Sequence, residues 1–149
     1  MKRIYVIANT NFNIENKDYN NILIENWNSI VNKEDIVYHL GNFGIGTLEE
    51  LKSLYDKLNG IKYLILGEED MRYDKDFFDE IGFKEVYEHE IVIGKYVLTY
   101  YPKDVLNGMI NIYGKDNCED IVSNFKNKNY VCVSAENINS RPILLKEEE

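Results

Sequence analysis

Five apolar runs in this 149-residue chain each stop at a polar tip, and those tips carry the side chains best suited to chemistry. Ile4 to Ala8 gives way to Asn9-Thr10-Asn11, Ile36 to Leu40 to Gly41-Asn42, and Ile61 to Leu66 to Gly67-Glu68-Glu69-Asp70. Tyr96 to Thr99 is followed by Tyr100, and Met109 to Tyr113 by Gly114-Lys115-Asp116-Asn117. Glu68, Glu69, Asp70 and Asp116 offer anionic oxygen of the kind that holds Mg or Ca. Lys115 brings one ammonium, a donor with no lone pair, and the asparagines bring neutral amides. Each Asn also has a plainer role, since its side chain bonds the local backbone and tolerates left-handed turns.

These tips act together only if the runs are neighbouring strands of one sheet, where ligands gather outside the carboxyl ends. The spacing supports that. Ile22, Leu23, Trp27, Ile30 and Val31 line one side of a helix between the first two runs, with Asp18 as its cap. Thr47-Leu48-Glu49-Glu50 forms a capping box for a second helix, whose apolar face is Leu48, Leu51, Leu54, Tyr55 and Leu58 and whose terminator is Gly60. The first half therefore reads β-α-β-α-β, which favours parallel strands. Asp74 caps a short helix that Gly82 stops. Short β-rich segments follow at Lys84 to Tyr87, Glu90 to Ile93, Tyr96 to Tyr101, Met109 to Tyr113, Tyr130 to Ala135 and Pro142 to Leu145. Gly94-Lys95 is a hairpin turn between two of them.

Length and a hydrophobic fraction of 44% predict one domain over residues 1–145, followed by a solvated acidic tail, 146–149. A net charge of -9 argues against duplex nucleic acid and anionic membranes as partners. Met1-Lys2-Arg3 and its short apolar run read as a first strand rather than a leader. No run approaches the ~20 apolar residues of a membrane helix. Cys118 and Cys132 are too few for a disulfide framework and read as reduced thiols, which points to a soluble, cytoplasmic protein. His39, inside an apolar strand, is expected to be a hydrogen-bonded core residue, and His89, between two glutamates, an exposed one.

In order and spacing the tips resemble the calcineurin-like metallophosphoesterases, in particular their small bacterial and phage-type members. That family carries Asp-x-His after its first strand, Gly-Asp after the second, Gly-Asn-His-Asp after the third, one later His, and Gly-His-x-His near the end. Asn26-Trp27-Asn28, Tyr38-His39-Leu40-Gly41, Tyr101-Pro102, Asn107-Gly108, Asn111-Ile112 and Ser134 to Pro142 match as well. The resemblance implies a four-layer αββα fold, a two-sheet β-sandwich flanked by helices, with the second sheet drawn from the second half of the chain. It also implies two divalent metals (Mn, Fe, Zn, Ni or Mg) held at the positions of Asn9, Asn11, Asn42, Glu68, Tyr100, Lys115 and Asn117, none of which is the family's residue. Glu69 stands where the family places its proton-donating His, and only Asp70 is retained.

Neutral amides and an ammonium are poor ligands for such cations. Loss of the metals removes the Lewis acid and the means of activating water. The expectation is a pseudoenzyme without cofactor or catalytic residues, acting through an unidentified protein partner, self-association or a bound ligand. Two alternatives remain: a divergent metal-dependent phosphodiesterase or phosphatase using the carboxylates, and a metal-free sensor of a small anion using Lys115.

Overall fold

The computed structural model describes residues 2–148; Met1 and Glu149, at the two ends of the expected domain and tail, lie outside the described residues. Strands β1 (Lys2–Ile7), β2 (Ile36–His39) and β3 (Ile61–Ile65) alternate with helices α1 (Lys17–Ile30) and α2 (Leu48–Asp56). The three strands pair in parallel, Ile4 to Ile7 against Ile36 to His39 and these against Ile61 to Leu64. Helix α3 (Lys75–Ile81) leads to β4 (Val86–Tyr87), which adds in parallel beside β3. Strands β5 (Ile91–Ile93), β6 (Tyr96–Thr99), β7 (Ile110–Tyr113) and β8 (Tyr130–Cys132) form a second mixed sheet in that order, with the short helix α4 (Glu119–Val122) between β7 and β8. Strand β9 (Ile143–Glu148) returns to the first sheet, antiparallel to β1, giving the order β4-β3-β2-β1-β9.

The period-two alternation of each strand divides the core. From the first sheet, Tyr5, Ile7, Val37 and Leu64 face α1, α2 and α3 with Leu23, Trp27, Leu51, Leu54 and Phe78. On its other face Val6, Leu40 and Ile65 meet Leu98, Tyr100 and Ile112 of the second sheet. Tyr113, Cys118 and Val122 close a smaller cluster outside that sheet. The chain is thus an α/β sandwich of two mixed sheets. Each fully buried large apolar side chain of these layers contributes about 1.5–3 kcal/mol. Among the described residues no helix is long and apolar enough to cross a membrane.

The local signals act largely as the residues suggest. The Thr47–Glu50 capping box is complete, with Glu50 N donating to Thr47 Oγ1 at 3.2 Å and Thr47 N to Glu50 Oε1 at 2.9 Å. Asp74 caps α3, Gly82 ends it at φ 133°, and Gly94-Lys95 turns β5 into β6.

Several expectations need correction. Asn16, not Asp18, caps α1 by accepting from Tyr19 N at 3.0 Å. Ile22 is exposed, because its direction on the helix is ~140° from that of Trp27. Gly60 does not terminate α2, which ends at Asp56; it precedes β3 at φ 104°, where a Cβ would lie 3.1 Å from Asp35 O. The second sheet takes only part of the second half, since β4 and β9 both join the first sheet. Residues 146–148 are not a free tail: the chain remains paired through Glu148, opposite Lys2.

Candidate functional site

Parallel strands of similar length end at the same height, so the tips after β1, β2, β3, β6 and β7 gather at one edge of the sandwich. Their approach depends on missing side chains. A Cβ on Gly67 would lie 2.6 Å from Asn42 Oδ1 and 2.8 Å from Asn42 N, and one on Gly114 would lie 2.6 Å from Leu40 O. Asn9, Asn11, Asn42 and Asn117 all take positive φ, between 49° and 61°, a region where Asn, Asp and His are the favoured non-glycine residues. The backbone therefore favours these residue types at the tips, whichever of them binds a ligand.

Asp70 is the hub of the arrangement. Fully buried in a 3-10 turn, its carboxyl accepts from Asn42 N at 2.7 Å, Gly67 N at 2.8 Å and Phe43 N at 3.1 Å. Burial pushes this carboxyl up to about 6, against the downward pull of the three amide donors. Asn42, 9% exposed, spends both ends of its amide nearby: Nδ2 donates to Tyr100 Oη and Oδ1 accepts from Glu69 N, each at 2.9 Å. Burial, followed by the charge of Glu68, raises the Tyr100 hydroxyl far above the usual phenol range, so it stays protonated.

On the other side of the tips Asn9 Nδ2 donates to Gly114 O at 2.7 Å and to Ser134 Oγ at 2.9 Å. Ser134 Oγ in turn reaches Asp116 Oδ2 at 3.4 Å. Asn11 donates back to Asn9 O at 3.3 Å. Lys115 Nζ lies 3.2 Å from Glu68 Oε1, which also accepts from Tyr101 Oη at 2.7 Å. The Tyr101 bond, then that from Lys115, holds the Glu68 carboxyl below its ordinary range; the same bond pushes the Tyr101 hydroxyl up to about 12.

Beneath the tips, His39 is fully buried and neutral, burial taking its pKa down to about 3. Gly41 N donates to Nδ1 at 3.2 Å, which assigns the proton to Nε2, 2.9 Å from Thr10 Oγ1. Thr10 then donates to Phe43 O at 2.8 Å.

The residues singled out from sequence thus separate into two groups. Asn9, Asn42, Glu68, Tyr100, Lys115 and Asp70 are engaged in the network, with Asn11 and Asp116 at its margin. Glu69 supplies only its backbone N–H, its carboxylate turning outward to Arg72 at 2.6 Å, and Asn117 is exposed. Thr10, Ser134 and Tyr101 also belong to the site and were not singled out there. Ser134 and Tyr101 lie within motifs that carry the family resemblance, which was a usable signal, whereas Thr10 sits between two predicted site residues and gave none.

The donor set does not fit a pair of divalent cations. Asn42 has both amide atoms committed, Tyr100 is a protonated phenol, and Lys115 neutralises Glu68. Among the described residues, Asn9 Oδ1 is the one buried side-chain oxygen without a hydrogen-bond partner, and it is neutral. No three His, Cys, Asp or Glu side chains among the described residues gather as a metal requires.

Comparison with known proteins yields relatives without assigned activity. No protein-family model matches the chain. It is 33% identical over 84 residues to an uncharacterized protein, MJ1445, of Methanocaldococcus jannaschii, a match covering 47% of this chain and 48% of that protein. The matched region thus spans about half the length of that curated relative. The crystal structure of AQ665 from Aquifex aeolicus, a protein of unknown function, superposes with a TM-score of 0.74 over 97% of this chain and 96% of its own, at 22% identity. That likeness is one of fold.

Proposed function

We propose that this chain is a metallophosphoesterase-like protein of the αββα type that has lost its metals and its catalysis, and that it works by binding, through a partner protein or a ligand. The observation that carries the reading is the closure of the tip network upon itself. Side chains at the positions where the resemblance implies ligands bond one another, and an ammonium stands 3.2 Å from Glu68 where a cation's charge is wanted. Two dications neutralise convergent carboxylates; a chain without them must drop charges, as at Asn9 and Asn42, or supply a cation, as at Lys115. The ion pair also argues against the small-anion sensor, since Lys115 has its countercharge already.

The test is turnover. With bis-p-nitrophenyl phosphate and p-nitrophenyl phosphate, and Mn or Mg added, the purified protein is expected to hydrolyse neither above background. Turnover that disappears in Glu68→Ala or Glu69→Ala would overturn the proposal and establish a divergent enzyme using those carboxylates.

A further inference from the structure

Beside the tips, a cleft of about 510 Å³ opens between Gly67-Glu68 and Tyr101-Pro102, and a second of about 560 Å³ lies over the outer face of β5 and β6. The two meet at Glu90 and Lys103, which line both and form an ion pair. Lys103 is held in place through its backbone, Lys103 N donating to the buried Asn111 Oδ1 at 2.9 Å.

This groove concentrates exposed apolar surface. Met71 and Tyr101 line the first cleft and Val92 the second, each more than half exposed, and Leu106 in the second is 81% exposed. Exposed apolar side chains gathered in two adjoining clefts and rimmed by charge suit the docking of a partner. Strand β5 runs along it as the edge of its sheet, with no strand on its outer side among the described residues. An edge of this kind accepts an extended segment through backbone hydrogen bonds.

The charge chooses the occupant. Glu68, Glu88 and Glu90 line the first cleft; Glu68 is paired with Lys115 and Glu90 with Lys103, which leaves Glu88 as the cleft's carboxylate without an ion pair among the described residues. A second copy of the chain carries the same net charge of -9, and that long-range repulsion opposes its approach. We propose that the groove docks an extended segment of a partner protein, with a basic residue set between two apolar anchors. The anchors occupy the Met71–Tyr101 and Val92–Leu106 ends, and the base meets Glu88 on the first-cleft side of the Glu90–Lys103 pair. This deepens the reading of the fold as a binding protein and rests on it.

The probe is a fluorescein-labelled synthetic peptide of about twelve residues, reaching roughly 40 Å when extended, with two leucines flanking two arginines in a Ser background. Anisotropy is expected to show saturable binding below about 1 mM, weakened about tenfold by Leu106→Asp and by Glu88→Lys. Both positions are exposed, and a thermal melt confirms that the variants fold. Replacing the arginines by Glu, or the leucines by Ser, is expected to abolish binding. Equal binding of the control peptides, affinities unchanged in both variants, or no binding up to about 1 mM overturns the proposal. So does a dimer in sedimentation velocity that Leu106→Asp dissociates, since the occupant is then a second copy. Phosphoester turnover measured on the same samples reports separately on the loss of catalysis: failure of the peptide without turnover removes this inference alone.

Discussion

Placing a carboxylate at position 42 tests directly the proposal that Asn42 stands in for a lost metal ligand. In Asn42→Asp the new group keeps a donor from Glu69 N, and the Tyr100 O–H can turn to donate as well. Its charge, however, is placed at a site 9% exposed whose own backbone N–H is bound to the buried Asp70 carboxyl. A buried charge with hydrogen bonds but no countercharge destabilises by several kcal/mol before those bonds offset part of it. The net loss is expected to be about 1–3 kcal/mol at neutral pH, or roughly 3–9 °C in Tm for a chain of this size. Desolvation and Asp70 both raise the folded-state pKa of the new group above its unfolded value. The penalty is therefore absent below about pH 4 and grows as pH rises through the folded value. Urea unfolding of parent and variant at about pH 4.5 and pH 8 measures it as a difference of differences. A variant as stable as its parent at the higher pH would refute the reasoning.

Three further outcomes follow from the same geometry. His39, taken down to about 3, makes the unfolded chain the better proton binder between about pH 4 and 6, whereas Asp70, raised to about 6, makes the folded chain the better one. Stability rises with pH through the first group and falls through the second by similar amounts. His39→Gln should therefore lose roughly 1.4 kcal/mol relative to parent for each unit of rising pH in that window; parallel urea profiles would contradict this. Gly67→Ala drives a Cβ to 2.6 Å from Asn42 Oδ1 and is expected to destabilise by about 1–3 kcal/mol in a thermal melt, with no change contradicting the close approach of the tips. Lys115→Met breaks a pair whose side chains are 32% and 41% exposed, so the loss should be under about 1 kcal/mol in urea; more than ~2 kcal/mol would mean the tip cleft is shut to water.

The parallel first half was legible because its signals are local. Apolar runs of strand length alternate with helical spacing, and the Thr47–Glu50 and Asp74 caps lie within one turn of the amides they satisfy. Placement of β4 and β9 was not, because pairing of Leu64 with Val86 and of Tyr5 with Leu144 is decided by long-range packing rather than by either segment's composition. The same divide runs through the site. Convergence of the tips follows from parallel strands ending together, whereas the direction of each side chain does not. Glu69 turns to Arg72 and Asp70 gathers three amides because a 3-10 turn, invisible in the spacing, separates them.

Metal content is the decisive quantity. The measurement is elemental analysis of the protein purified without chelator, repeated after equilibration with Mn and gel filtration. The set Asn9→Asp, Asn11→His, Asn42→Asp, Glu68→Asn, Glu69→His, Tyr100→His, Lys115→His and Asn117→His is carried in one variant as reference. The native chain is expected to retain far less than one equivalent of Mn, Fe, Zn or Ni while the reference variant retains metal on the same backbone. Near-stoichiometric metal on the native chain, lost on substitution of Glu68 or Asp116, would contradict the claim that the tip network has taken the metals' place.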